Sequence, residues 1–343
     1  MRQALRVLVR LPEPAALALF GDPPRNDRGA PLDLQIHILL SLMEAAGSPR
    51  LDELGAPLAR EVYRRANQTF DLDPQPMHQV EDLLLTGAGF ESGVELKARV
   101  YRPNPGVLPA VVFYHGGGFT IGCCDGYDGF CRAFAAHTGC TVISVEYRLA
   151  PEHPFPAAVF DCLAAYRWVH QQAEELSIDP ERIAVAGDSA GATLATVVCH
   201  QQLRDGGVLP HHQLLIYPKT DPRMEKYPSR TLFKEGFYLT GSVITWFSAN
   251  YLAGADDTDP RSAPNLYEDL SGLPPATVIT AGFDPLRDEG EAYAARLKEA
   301  GVTVKKRCCD QMVHGFISMG GIIDAAAHGV ADMAEEFRRE MTS

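Results

Sequence analysis

The sequence has no apolar run of the length that a membrane span needs. It also has no excess of positive charge: 31 lysines and arginines face 44 aspartates and glutamates, a net charge of −13. The N-terminal stretch MRQALRVLVRLPEPAALALF is basic and apolar, but arginine, proline and glutamate interrupt it, unlike a signal peptide. These features predict a cytoplasmic protein that neither inserts stably into a membrane nor binds nucleic acid.

Zinc-ligand spacing and C-x-x-C motifs are also absent, although the chain has eight cysteines. Four of the cysteines form the neighbouring pairs 123–124 and 308–309, which are poor disulfide partners. We therefore expect no metal site and a reducing environment.

The chain shows no internal repeat and no low-complexity segment, and buried-strand patterns alternate with helical ones. An antiparallel strand pair flanks the turn at 88–93. Helices are predicted over 157–176 and over 291–301, the latter ended by Gly301. Further strands are predicted at 109–115, 141–148, 182–187, 213–218, 276–282 and 303–309. This alternation predicts an α/β fold, with a mostly parallel central sheet and helices on both faces.

The long connection after residue 218 breaks this alternation, because it holds no strong strand pattern. Such connections in compact domains are often lids. Together with the N-terminal helices, it is expected to cover the carboxyl edge of the sheet as a helical cap subdomain. The predicted division is 1–75 for the N-terminal part of the cap, 76–218 for the first part of the core, 219–254 for the cap insertion and 255–343 for the second part of the core.

The stretch AVAGDSAGATL, residues 184–194, places Ser189 between a predicted strand and a helix. Small residues surround it, with Gly187 two positions before and Gly191 two positions after. A sharp strand-to-helix turn tolerates only such neighbours and exposes the serine hydroxyl at the sheet edge. The pattern favours a nucleophile, and the alternative is a serine that only caps the helix.

The segment FYHGGGF, residues 113–119, follows another predicted strand. Consecutive glycines let backbone amides face a ligand without obstruction by a Cβ atom, as an oxyanion hole requires. We predict the amides of Gly116, Gly117 and Ala190 as the donors. A phosphate-binding loop is the alternative, but no Lys-Ser or Lys-Thr follows.

Two further candidates complete a nucleophilic site. Asp284 in TAGFDPLRDEG follows a predicted strand, and His314 in DQMVHGF follows the last one. Ser189, Asp284 and His314 stand in the chain order serine, acid, histidine, which is that of α/β-hydrolases.

The motifs FYHGGGF, VEYRLAPEHPFPAA, GDSAG, DPLRDEG and HGF occur in the order typical of one family. From about residue 76 onward, the chain resembles the hormone-sensitive-lipase family of bacterial carboxylesterases (family IV). The resemblance implies an α/β-hydrolase fold with a helical cap, no cofactor and short acyl chains. It also implies Ser189, Asp284 and His314 as the catalytic triad, with oxyanion donors as above, and a possible homodimer through the edge strand at 303–309.

Two departures from the family accompany this resemblance. Glu146 replaces a frequent aspartate, and Cys123-Cys124 follows the glycines, where a thiol either lies near the acyl pocket or is buried in packing. The substrate pocket is predicted to include Phe119, Asp188, Tyr217 and Phe316.

The predicted function is a serine carboxylesterase that acts on short- to medium-chain acyl esters of small molecules. An amide, formamide or thioester hydrolase using the same triad is the alternative, because the triad alone does not select the bond. A non-catalytic receptor is disfavoured, because the gibberellin receptors that resemble this family lack the catalytic histidine, which is present here as His314.

Overall fold

The computed structural model describes residues 2–87 and 89–342, so that Ala88, the first residue of the predicted turn at 88–93, lies outside the described residues. Within them, eight strands form one sheet in the order β1-β2-β4-β3-β5-β6-β7-β8. β1 and β2 are antiparallel, as predicted, and β2 is antiparallel to β4, whereas all other pairs are parallel. The strands are β1 (Gln79–Leu85), β2 (Leu96–Arg102), β3 (Leu108–Tyr114), β4 (Thr141–Glu146), β5 (Ile178–Asp188), β6 (Gln213–Ile216), β7 (Ala276–Phe283) and β8 (Val304–Val313).

The α-helices either pack on the sheet or lie at its carboxyl edge. The segment between β6 and β7 contains helices and no strand in the part that the structure describes, as predicted. The helices are α1 (Arg2–Val9), α2 (Glu13–Phe20), α3 (Leu34–Ala45), α4 (Ala56–Phe70), α5 (Asp128–Thr138), α6 (Ala157–Gln171), α7 (Ala190–Arg204), α8 (Pro228–Leu232), α9 (Gly241–Leu252), α10 (Arg287–Glu299) and α11 (Asp324–Glu340).

Two apolar layers cover the two faces of the sheet, because successive side chains of a strand point to opposite faces. In β3, Val112 packs in the layer that includes α6, α7 and α10, whereas Val111 and Phe113 pack in the layer that includes α5 and α11. A sheet buried on both faces explains why its strands appear as continuous apolar runs in the sequence.

A bulge between β7 and β8 sets the relative position of the two loops that follow these strands. Ala281 pairs with Cys309, but the next pair is Phe283 with Val313, so β8 contributes two extra residues between the pairs. Asp284 and His314 directly follow the paired residues Phe283 and Val313. The bulge therefore brings these two side chains to the same point of the sheet edge.

The bulge predicts that Gly282→Ala is destabilising. A Cβ atom on Gly282 would lie 2.0 Å from the carbonyl oxygen of Asp310, and a backbone atom can move away only by disturbing the strand pair. We expect the free energy of unfolding to decrease by about 1–3 kcal/mol, as in other overpacked sites. Denaturant unfolding measures it, with Gly126→Ala as the control, because the nearest atoms there are 3.7 Å from the new Cβ. Equal stability of the two variants would contradict this account of the bulge.

Candidate active site

Ser189 lies at the sharp turn between β5 and α7, with φ of +55° and ψ of −118°. This backbone conformation is strained for a residue with a side chain, and strain of this kind is concentrated at functional sites. The turn is also tightly packed: a Cβ on Gly187 would lie 2.3 Å from the backbone of Gly191, and one on Gly191 would lie 1.9 Å from the carbonyl oxygen of Tyr114. The two glycines are therefore needed for space.

A chain of hydrogen bonds joins Ser189, His314 and Asp284. The Oγ atom of Ser189 lies 2.9 Å from Nε2 of His314, and Nδ1 of His314 lies 2.8 Å from Oδ2 of Asp284. Asp284 is fully buried and His314 is nearly so. The other carboxylate oxygen of Asp284 accepts the amide of Leu286 at 2.8 Å, which fixes its orientation. The structure thus brings together the three side chains that the sequence separates by 95 and 30 positions.

The glycine loop, residues 115–121, lies beside this chain. The amide of Gly116 donates to Oδ1 of Asp188 at 2.6 Å, so it is not free for a ligand, and the prediction of Gly116 as an oxyanion donor is wrong. The amides of Gly117, Gly118 and Ala190 make no hydrogen bond to another residue in the part of the chain that the structure describes. Gly117 and Gly118 have φ of +115° and +57°, values that favour glycine.

A cavity of about 900 Å³ opens in front of Ser189. Gly117, Gly118, Ala190 and His314 line its base. Most of the other wall residues come from the two predicted parts of the cap, and the wall is mainly apolar. They include Leu32, Leu40, Met43, Val62, Ala66, Phe70, Phe237, Leu239, Val243, Ile244, Phe247 and Leu252. Such a mainly apolar cleft with a few convergent polar groups is typical of a small-molecule site.

Two of the four predicted pocket residues line this cavity, namely Phe119 and Asp188. Tyr217 and Phe316 do not, because both are fully buried behind His314. The ring of Tyr217 lies 4.5 Å from that of His314, centre to centre, and 5.7 Å from that of Phe316. Tyr217 therefore supports the imidazole and Phe316 packs against Tyr217, and neither lines the cavity.

Sequence reasoning missed most residues of the cavity wall, and three of them bear on the site: Gly118, Lys219 and Tyr251. Gly118 is the third glycine of the motif, and only its backbone conformation distinguishes it from Gly116. Lys219 follows β6, and burial lowers the pKa of its amine to about 8. Tyr251 on α9 stacks on Phe119 with ring centres 3.7 Å apart. Their only sequence signal is position: Lys219 comes just after a strand, and Tyr251 lies in the aromatic-rich connection.

Comparison with known proteins identifies the family. A family profile described as the α/β hydrolase fold matches residues 111–318. The chain is 40% identical to the carboxylic ester hydrolase LipN of Mycobacterium tuberculosis, over 98% of this chain and 91% of LipN. It is 38% identical to an ethyl acetate hydrolase of Pseudomonas putida, over 88% of this chain and 97% of that one.

The chain belongs to the α/β-hydrolase family. A solved structure of the ester hydrolase EH1AB1 from the metagenome of Lake Arreo, in complex with a bipyridine phosphonate derivative, superimposes with a TM-score of 0.87 at 39% identity. The superposition covers 91% of this chain and 100% of the EH1AB1 chain. The predicted fold class is confirmed, and so is the predicted class of enzyme, a carboxylic ester hydrolase.

The remaining predictions concern membrane spans, metal sites, the pair Cys123-Cys124 and Glu146. No helix of the described residues is long and apolar enough to cross a membrane. Over the same residues, no cluster of histidine, cysteine and acidic side chains could hold a metal ion. Cys123 and Cys124 lie outside the cavity wall, and the Sγ of Cys124 donates to the carbonyl oxygen of Ser144 at 3.3 Å. Glu146 accepts the amide of Cys124, so that its role is local.

Thiol reagents are therefore expected to leave this α/β-hydrolase active. No cysteine lines the cavity among the described residues, and burial raises the pKa of Cys124 to about 12, which keeps that thiol unreactive. The measurement is ester hydrolysis before and after iodoacetamide treatment, with mass spectrometry to count labelled cysteines. Loss of activity in proportion to labelling of Cys123 would place that thiol at the substrate, against this geometry.

Proposed function

We propose that this α/β-hydrolase is a serine carboxylesterase of the hormone-sensitive-lipase type, with Ser189, His314 and Asp284 as its catalytic triad. The observation that carries the proposal is the hydrogen-bond chain from Ser189 to Asp284 at the base of an apolar cavity. A serine hydroxyl needs an adjacent base, and the base needs a partner that fixes its tautomer; both partners lie within hydrogen-bond distance.

In the first step, Nε2 of His314 takes the proton of Ser189 as Oγ attacks the carbonyl carbon of the ester. The carboxylate of Asp284 keeps the other nitrogen of the ring protonated and stabilises the imidazolium that forms. His314 then gives its proton to the leaving alcohol, which produces the acyl-enzyme. A water molecule repeats the sequence and releases the acid. Every proton in these steps moves among the side chains of the triad, the alcohol and water.

The negative charge that develops on the ester oxygen needs preorganised donors. We propose the amides of Gly117, Gly118 and Ala190 for this role, with Gly118 in place of the Gly116 predicted from the sequence. All three residues line the cavity, and Ala190 is the first residue of α7, where the helix dipole also favours negative charge.

The cavity favours small-molecule esters with short- to medium-chain acyl groups. Its volume of about 900 Å³ is within the range of small-ligand sites, and both 1–75 and 219–254, the proposed cap, contribute apolar wall. One relative is named an ethyl acetate hydrolase, which agrees with short chains. The homodimer stays a prediction. It requires an exposed edge strand, and β8 lies at one edge of the sheet. The cytoplasmic location also stays a prediction.

Replacing Ser189 by alanine is expected to lower kcat on p-nitrophenyl esters by several powers of ten, because the nucleophile is lost. Removing a single triad member in other hydrolases costs about 10⁴- to 10⁶-fold. The measurement uses acetyl to hexadecanoyl esters side by side, and the wild type is expected to prefer the shorter ones. Ser271→Ala, which changes an exposed loop serine, is the control.

Two outcomes would contradict the proposal. Equal rates for wild type and Ser189→Ala would mean that Ser189 only occupies the cap position before helix α7. A wild type that cleaves matched anilides or thioesters faster than the esters would move the assignment to the amide or thioester hydrolases.

A further inference from the structure

Helix α4 lies in the proposed cap, yet two of its side chains are linked to the glycine loop. Arg60 and Tyr63 stand three positions apart, so they project from the same side of the helix. The hydrogen bonds of Arg60 reach the C-terminal part of the glycine loop. A separate series of hydrogen bonds that starts at Tyr63 reaches its N-terminal part.

The first link is direct. Nε of Arg60 donates to the carbonyl oxygen of Thr120 at 2.8 Å, and Nη2 donates to that of Ala150 at 2.8 Å. The amide of Ala150 in turn donates to the carbonyl oxygen of Phe119 at 2.9 Å. An ion pair with Glu152 holds the guanidinium in place. Because a guanidinium is planar with fixed donor directions, Arg60 defines where residues 119 and 120 lie.

The second link passes through buried groups. The hydroxyls of Tyr63 and Tyr127 lie 3.2 Å apart, and that of Tyr127 donates to Oδ2 of Asp188 at 3.2 Å. The other oxygen of Asp188 accepts the amide of Gly116. The hydroxyl of Tyr217 also donates to Oδ2, at 3.3 Å.

Asp188 forms no ion pair among the described residues, and its hydrogen-bond donors there are all neutral. Burial raises its pKa to about 6, while the amide of Gly116, electrostatic attraction to His314 and the two tyrosine hydroxyls oppose the rise. Removing one hydroxyl from this set shifts the remaining hydrogen bonds, including the one to Gly116.

Gly117 and Gly118, the two proposed oxyanion donors of the loop, lie between the anchored residues Gly116 and Thr120. Glycines leave the backbone free to rotate, so the direction of these amides depends on how the loop ends are held. Inside the loop, the carbonyl oxygen of Gly117 accepts the amides of Thr120 and Ile121, which closes a tight turn but does not orient it relative to Ser189. The two links from α4 reach the two ends of this turn.

We propose that Arg60 and Tyr63 are positioning residues through which cap helix α4 holds the amides of Gly117 and Gly118 in line with Oγ of Ser189. This inference rests on the proposed esterase function. It assigns to the cap a part in the chemical step, in addition to enclosing the substrate.

The test compares Arg60→Met and Tyr63→Phe with Arg65→Ala. Arg65 lies on the same helix but is exposed, and its ion pair with Glu61 is separate from both links, so its removal leaves them intact. With p-nitrophenyl acetate, we expect kcat to decrease about tenfold or more for Arg60→Met and less for Tyr63→Phe, with KM changed less than twofold. Small misplacements of catalytic groups cost up to about 100-fold.

A trifluoromethyl ketone distinguishes positioning from a general loosening of the cap, because it forms a tetrahedral adduct with the serine whose oxygen occupies the oxyanion hole. We expect its inhibition constant to rise by the same factor as kcat falls. If Arg60→Met does not fold, Tyr63→Phe carries the test alone, since it removes one hydroxyl.

An unchanged kcat, a rise in KM alone, or a lower kcat with unchanged inhibitor affinity would overturn the inference. These outcomes leave the proposed function intact as long as Ser189→Ala is inactive. An active Ser189→Ala would instead remove the basis of both.

Discussion

The close approach of α7 to β3 is the constraint on which the rest of the site depends. A Cβ on Gly191 would lie 1.9 Å from the carbonyl oxygen of Tyr114, so the first turn of the helix rests directly on the last residue of the strand. Tyr114 immediately precedes the glycine loop, and Ser189 immediately precedes the helix. One backbone contact therefore brings the serine next to the glycine loop. The positive φ of Ser189 is the local cost of this turn, and burial of the sheet on both faces, with α7 packed on one of them, compensates for it.

A different structural feature, the bulge between β7 and β8, brings His314 and Asp284 to the same point. They lie at the ends of β7 and β8, and the regular register would pair Phe283 with Gln311 rather than with Val313. The bulge advances β8 by two residues, so His314 comes beside Asp284 and its ring rests on Tyr217. Rigid strands thus hold the serine, histidine and aspartate, and rigid elements are the more precise support for a catalytic group.

Much of this arrangement could be predicted from the sequence, because strand patterns and chain order are local properties. The sheet, the turn at Ser189 and the candidates Asp284 and His314 all followed from apolar runs and the residues after them. The predictions that were wrong concern the direction in which an amide or a side chain points. In HGGG, the three amides differ only in φ and ψ, so Gly116 could not be distinguished from Gly118. Tyr217 and Phe316 each lie two positions from a cavity residue, Lys219 and His314 respectively, but the backbone after β6 and β8 turns their side chains into the core. The bulge cannot be recognised in the sequence, because polar residues are common along an edge strand and two extra ones do not stand out.

The glycine loop differs from the strand ends in how it is held. Its flexibility is needed, because only glycine accepts the backbone conformations that turn amides toward a ligand. The same flexibility means that the loop cannot position itself, and its anchors come from Asp188 in the core and from Arg60 on α4. Helix α4 also lines the cavity through Val62, Tyr63 and Ala66. A change in this helix that reshapes the cavity therefore also moves the anchors of the loop. Under the proposals above, helix α4 couples substrate preference to rate, because the proposed oxyanion donors lie on a loop that this helix helps to hold.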